Sequence, residues 1–323
     1  MATRSEFSII QQYFEQLTPS RDDVLVGIGD DCALLLCPEN HVIAVSIDTL
    51  VEGIHFFADV EPEYLGHKSL AVGLSDLAAM GAKAAWFTLA LTLPEVNEDW
   101  LKSFSKGLAK LANKHKIQLV GGDTTRGPLS ISIQVHGHVE PVKAIRRSGA
   151  KLGDLIYVTG TLGDAGAALQ LQLGKWNDAA LSVEDKHYLQ QRLEQPSPRL
   201  EIGQKLAGLA SAAIDISDGL LADLGHILDK SEAGARLDLA KLPLSSAMAK
   251  VDRHVAEQFA LQAGDDYELC FTVPPQHFAE MEQSFKGQCT RIGMITDDKG
   301  IYFLNDHNAL IALTGTGYDH FSI

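Results

Sequence analysis

The chain has 323 residues, 46% of them hydrophobic and 21% charged, and a net charge of −15. That length suggests about two domains of roughly 150 residues, and the acidic balance excludes a nucleic-acid binder, which needs a basic face. No apolar run approaches the ~20 residues of a membrane span, and the four cysteines, Cys32, Cys37, Cys270 and Cys289, form no Cys-x-x-Cys pair, so reduced thiols in the cytoplasm are the simplest expectation.

The first segment, MATRSEFSIIQQYFEQL, reads as an amphipathic helix without the features of a signal peptide. An apolar VLVGI strand leads into Gly29-Asp30-Asp31, and HVIAVSID reads as a buried strand ending at Asp48. PEYLGHKSLAVGLSDLAAMGA is a long helical stretch, and WFTLALTL a second buried strand. From Asn97 to His115, Trp100, Leu101, Phe104, Leu108 and Leu111 recur at helical spacing, with Asn97 as N-cap. IQLVGGDTTRG reads as a short strand entering a glycine turn, and SISIQVHGHVE alternates as a half-exposed strand does.

The pattern breaks around RRSGAKLGD, which places the domains at 1–149 and 150–323. The second half opens with the strand DLIYVTG, and TLGDAGAALQLQLG turns into a helix. QPSPRLEIGQKLAG opens another helix, and SAAIDISDGLLADLGHIL repeats the strand–turn–helix pattern. DDYELCFTV is a strand after an acidic turn, and TRIGMIT, GIYFLN and ALIAL are short strands. Strands and helices alternate in both halves, so the class is mixed α/β.

The informative feature is the placement of aspartates. Asp31, Asp48, Asp76, Asp123, Asp215 and Asp218 each sit at the end of an apolar element or inside one, beside glycine or small residues. Taken singly, Asp218 reads as a helix N-cap and Asp123 as a turn residue. Asp76 is harder to explain, because every neighbour within four positions is apolar, small or a hydroxyl, and a carboxylate there is costly unless paired or metal-bound. If the set converges, hard divalent cations with oxygen ligands offset the repulsion, and Mg²⁺ shares its shell with substrate phosphates. Rival sites are weak: GxxxxGK[ST] and the protein-kinase signatures are absent, Gly160-x-x-Gly163-x-x-Gly166 has the wrong spacing for a dinucleotide fingerprint, and His136-x-His138 reads first as a solvated strand face.

An ordered series of segments runs along nearly the whole chain: EFSII, GIGDDCALL, SIDTLVEGIHF, LAVGLSDLAAMGA, LTLPE, LVGGDTTRG, RSGAKLGDLIYVTG, PSPR, AIDISDGLLADLGHI, GDDYELCFTV and GYDHF. In this series the sequence resembles the thiamine-monophosphate kinases, a branch of the group that includes aminoimidazole ribonucleotide synthetase, selenophosphate synthetase and the hydrogenase maturation ATPases. The resemblance implies transfer of phosphate from ATP to thiamine monophosphate with several Mg²⁺ ions. It also implies a two-domain aminoimidazole ribonucleotide synthetase-like fold whose N-terminal domain binds ATP and metal and forms a barrel-like sheet across a homodimer. It assigns Asp31, Ser46, Asp48, Asp76, Asp123, Asp215 and Asp218 to metal, with Ile47 contributing a backbone carbonyl where the family commonly has a hydroxyl residue. Gly122, Asp123, Arg147 and Ser217 are assigned to ATP, His55, Asp265 and Tyr318 to thiamine monophosphate, and Asp48, Asp123 and Arg147 to catalysis. Asp265 stands where the family often has Glu, so its reach is one methylene shorter. Asp30 is left as a turn or cap residue. The alternatives are a related enzyme with another phosphoryl acceptor, a non-catalytic sensor of thiamine phosphates and a dinucleotide-dependent oxidoreductase.

Overall fold

A computed structural model describes residues 5–304 and the backbone of 310–312. The chain divides into two compact units, one of residues 1–77 and 82–142, the other of 78–81 and 143–323. The first holds α1 (Glu6–Tyr13), a ribbon of β1 (Val24–Val26) and β2 (Leu34–Leu35), β3 (Val42–Val51), most of α2 (Pro62–Ala79), β4 (Lys83–Leu93), α3 (Glu98–His115), β5 (Gln118–Arg126) and β6 (Ser130–Val139). Strands β3–β6 form one sheet in the order β3-β6-β4-β5. Only the β4–β5 pair is parallel, and α3 supplies its crossover.

Helix α3 follows its sequence pattern closely. Asn97 accepts from Trp100 N–H at 3.0 Å as N-cap, Leu101, Phe104, Leu108 and Leu111 are buried, and Lys116 ends the helix in the left-handed region. The largest buried side chains include Trp86 and Phe87 of β4 and Leu70 and Leu74 of α2.

Two strand expectations change. HVIAVSID is not a buried strand ending at Asp48. Strand β3 continues to Val51 at the edge of the sheet, and Ile43, Val45 and Ile47 are 49%, 52% and 62% exposed on one face. An apolar run on both faces reads as burial, but within this chain helices cover only one of them. Nor does LVGGDTTRG break into a turn. Gly121 and Gly122 lie inside β5, at a register shift against β4. A Cβ on Gly122 would lie 1.9 Å from the Leu89 carbonyl oxygen, so the glycine is needed for close approach of the strands.

The second unit holds β7 (Leu155–Thr159), α4 (Asp164–Gln172), α5 (Val183–Glu194), α6 (Leu200–Leu206), β8 (Ala212–Asp215), α7 (Leu220–Ser231), β9 (Gly234–Asp238), α8 (Arg253–Gln262), β10 (Leu269–Val273), α9 (Phe278–Ser284), β11 (Cys289–Thr296), β12 (Gly300–Leu304) and β13 (Leu310–Ala312). Its seven-stranded sheet runs β13-β12-β9-β11-β7-β10-β8, with only β9–β12 parallel. Ile156, Val158, Ile214, Leu224, Ile227, Leu237 and Phe303 belong to one core. The neighbours of β7 are both antiparallel, so Gly160, Gly163 and Gly166 do not belong to a parallel dinucleotide-binding unit.

Candidate active site

In the first unit the structure gathers Ser46, Asp48 and Asp76. Alternation along β3 turns Ser46 and Asp48 toward α2, where Ser46 Oγ donates to Asp76 Oδ2. An ideal Cβ on Gly73, one turn before Asp76, would lie 3.4 Å from Asp48 Oδ2. Asp48 Oδ2 is itself buried and without a hydrogen-bond partner among the described residues. Burial, reinforced by the charge of Asp76, pushes the Asp48 carboxyl up to about 6. A buried carboxylate with an idle oxygen, facing a second carboxylate, suits a hard cation. Among the described residues, no three His, Cys, Asp or Glu side chains converge closely enough to hold a metal alone. Mg²⁺ commonly takes one or two protein carboxylates and completes its shell with water and substrate phosphate, so the trio fits that ion.

The remaining first-unit residues lie apart. Asp31 is exposed after β1, and its N–H donates to Asp30 Oδ1 at 2.9 Å, which gives Asp30 a turn role. Ile47 turns its side chain to the open face of the sheet. The register pairs Asp48 with Ile133, Ile133 with Leu89 and Leu89 with Gly122. Asp123 pairs with Ala90, Ala90 with Ser132 and Ser132 with Thr49. Asp123 and Asp48 therefore lie on opposite faces, with β6 and β4 between their strands. His55 follows β3, and its Nδ1 accepts the Val51 N–H at 3.0 Å, which leaves the neutral ring's proton on Nε2.

In the second unit two loops are joined backbone to backbone. Asp265 N–H donates to Ser217 O at 2.9 Å, Tyr267 N–H to Ile216 O at 2.8 Å, and Ile216 N–H to Glu268 O at 2.7 Å. Ser217 and Asp218 are thus held beside Asp265, while buried Asp215 ends β8 and pairs with Leu269. Asp218 is not the N-cap of α7. That position is Gly219, at φ 114, which has no side chain to cap with. The residue that organises this turn is Asp223, whose Oδ2 accepts the N–H groups of Ser217, Asp218 and Gly219 at 3.0, 3.0 and 3.1 Å. Burial and the charge of Asp218 push the Asp223 carboxyl up to about 7 against those three donors. Arg147 is exposed near the start of the unit, and its carbonyl accepts from Ser231 Oγ at 3.3 Å. Tyr318 lies outside the described residues.

A second acidic group here has a different character. Glu268 is fully buried and accepts from Thr159 Oγ1 at 2.5 Å, Arg192 Nη2 at 2.8 Å and Arg199 Nε at 2.6 Å. Asp164 accepts from Thr161 and Ser245, both at 2.6 Å, with Arg192 Nε 3.5 Å away. Burial holds the Asp266 carboxyl well above its ordinary range, and its Oδ2 accepts Gly163 N–H at 2.8 Å. Three carboxyls, those of Asp164, Asp266 and Glu268, thus gather around two guanidiniums. Sequence reasoning missed Asp223, Tyr267 and this network. An Asp in the first turn of a helix behind Ser-Asp-Gly was the available signal for the first.

Residues 29–139 match the family AIR synthase related protein, N-terminal domain, and residues 151–304 match AIR synthase related protein, C-terminal domain. The chain is 51% identical over 322 residues to thiamine-monophosphate kinase of Escherichia coli (strain K12), with 98% of each chain covered. It resembles the crystal structure of thiamine-monophosphate kinase from Stenotrophomonas maltophilia K279a, with a TM-score of 0.81 and 48% identity, over 88% of this chain and 92% of that one. The structure of AaThiL complexed with AMPPCP and TMP aligns with a TM-score of 0.78 at 29% identity, over 88% of this chain and 89% of that one.

Proposed function

The chain belongs to the thiamine-monophosphate kinase family, within the AIR synthase related proteins, and from that premise we propose how its residues carry the reaction. The activity is ATP-dependent phosphorylation of thiamine monophosphate to thiamine diphosphate. The observation that carries this reading is the full-length likeness to thiamine-monophosphate kinases, joined to a carboxylate group at Ser46, Asp48 and Asp76 that suits a cation.

A phosphate oxygen of thiamine monophosphate attacks the γ-phosphorus of ATP. The new P–O bond forms as the β–γ bridging bond breaks, and its electron pair leaves with ADP. A phosphomonoester has its second pKa at about 6, so the attacking oxygen is already ionised at neutral pH and no strong general base is needed. The task is to bring two polyanions together. Ser46, Asp48 and Asp76 would hold one magnesium ion on the helix-covered face of the first sheet; Asp31 and Asp123, with the Ile47 carbonyl, would serve magnesium apart from that trio, and Asp215 and Asp218 would do so within the second unit. Bound Mg²⁺ supplies charge neutralisation and alignment of phosphate oxygens. Gly122, Asp123, Arg147 and Ser217 bind ATP, with Arg147 offsetting negative charge. His55 offers its Nε2 proton to the substrate, while Asp265, with Tyr318, faces the cationic thiazolium.

The first domain pairs with a second copy through the open apolar strip of Ile43, Val45 and Ile47, the face on which Asp123 also lies. An apolar edge strand left open invites such pairing. Val45→Asp converts that dimer to a monomer in analytical ultracentrifugation; an unchanged mass removes the interface. Among the described residues no helix is long and apolar enough to cross a membrane, and the protein works in the cytoplasm.

The functional test supplies the purified protein with ATP, Mg²⁺ and thiamine monophosphate and follows thiamine diphosphate by fluorescence after oxidation. Diphosphate accumulates. ATP turnover only with another acceptor would point to the wider group, and binding without turnover to a sensor.

A further inference from the structure

Five non-glycine residues among those described have positive φ: Asn40, Lys116, Glu232, Asp265 and Tyr267. Lys116 and Glu232 end helices, and Asn40 lies in a turn, all common places for the left-handed region. Asp265, at φ 65, and Tyr267, at φ 50, do neither. They flank one residue in the loop leading into β10, and a bulky aromatic at positive φ is a true outlier. Such strain persists only where the surroundings over-determine the backbone, and it gathers at functional sites.

The surroundings do over-determine it. Asp265 and Tyr267 N–H groups are tied to Ser217 and Ile216. Between them Asp266 is fixed by Gly163 N–H, and after them Glu268 is clamped by Arg192 and Arg199. A Cβ on Gly264 would lie 2.2 Å from Ser217 O, so the loop can press against the 216–219 turn. The strained conformation returns the Tyr267 hydroxyl to Asp265, donating to Oδ1 at 3.0 Å from a ring that is itself buried.

We infer that Tyr267 is a positioning residue for recognition of the cationic half of thiamine monophosphate: its hydroxyl fixes the Asp265 carboxylate, and that carboxylate meets the thiazolium. This rests on the proposed placement of Asp265 at the substrate. A short aspartate reaches a ligand from one orientation, and a charged hydrogen bond from a rigid donor selects it. Recognition of the cation is then set by a residue that does not itself touch substrate.

The test compares Tyr267→Phe, Asp265→Asn and the double variant in steady-state kinetics. Tyr267→Phe keeps the ring, and its folding is checked by the urea midpoint. The expected result is a rise of about tenfold in KM for thiamine monophosphate, with KM for ATP unchanged. A competitive phosphomonoester analogue with an uncharged ring keeps its inhibition constant in Tyr267→Phe, because that contact does not read charge. Asp265→Asn raises the same KM, and the double variant is no worse than Asp265→Asn alone. An unchanged KM in Tyr267→Phe, equal loss for charged and uncharged ligands, or independent multiplying effects would each overturn the inference while leaving Asp265 at the substrate. An unaffected Asp265→Asn would instead remove the placement of Asp265, and the inference with it.

Discussion

In the first unit, Asp48 lies under the charge of Asp76, which accepts from the Ser46 hydroxyl, and burial leaves one Asp48 oxygen without a partner among the described residues. In the second, Glu268 is more deeply buried, yet two arginines and a threonine satisfy both of its oxygens. The residue types are nearly the same, and each has a carboxylate oxygen shut off from solvent. The difference lies in compensation. A carboxylate that already has its cations can only hold the fold, whereas one that repels its neighbour is held ready for a cation from outside. Acidic residues in this chain are therefore sorted by their partners and not by their burial.

The largest test of that contrast is Asp48→Asn. Losing several kcal/mol of transition-state charge stabilisation lowers kcat by on the order of 10³, while the fold is unharmed because no protein partner is lost. Near-normal turnover would remove Asp48 from the site. Glu268→Gln should behave in the opposite way. It takes the Glu268 charge away from the half-buried guanidiniums of Arg192 and Arg199, at about 3 kcal/mol, and lowers the thermal midpoint by roughly 10 °C. A midpoint within a degree or two of the parent would show that the network is not compensated as the geometry implies.

The third test uses pH. The Asp48 carboxyl is raised from 3.8 to about 6, so the folded state holds its proton more tightly than the unfolded chain. Its contribution to stability is fully present below about 3.8 and is lost as pH rises through about 6, a difference of about 3 kcal/mol. Asp223, raised to about 7, adds a slope of the same sign. Without metal, urea midpoints should fall over that window, and Asp48→Asn should flatten the fall below pH 6. Added Mg²⁺ should raise the midpoint at pH 7.5 and do so much less at pH 5, where the proton competes for the ligand. A magnesium effect of equal size at both pH values would separate the ion from Asp48. The smallest effect belongs to the exposed pair Lys106–Glu63, 2.6 Å apart with Lys106 at 70% exposure. Lys106→Ala should change stability by less than about 1 kcal/mol, and a larger loss would mean that compensation matters even in water.

Much of this was legible from the residues. The apolar spacing and Asn97 cap of α3 are local features, and local physics decides them. The odd position of Asp76 in an apolar helix already asked for a partner, and Ser46 answers it from the facing strand β3. Helices α5 and α8 and strand β9 went unread, since α5 is strongly polar, α8 is only ten residues long and β9 is a five-residue strand placed by its neighbours. Tyr267 could not be read at all, because its role depends on a left-handed backbone that only non-local hydrogen bonds sustain.

What the sequence by itself determined is the set of elements with strong periodicity, the acidic inventory and, through its ordered motifs, the family. Tertiary structure alone decided which carboxylates are compensated. It put Asp48 and Asp123 on opposite faces of one sheet, gave Asp223 the role of holding the Ser217–Gly219 turn, and closed Arg192 and Arg199 on Glu268. The reason is physical: a side chain's charge is written in its own residue, but the cost of that charge is set by whatever the fold brings within a few ångströms of it.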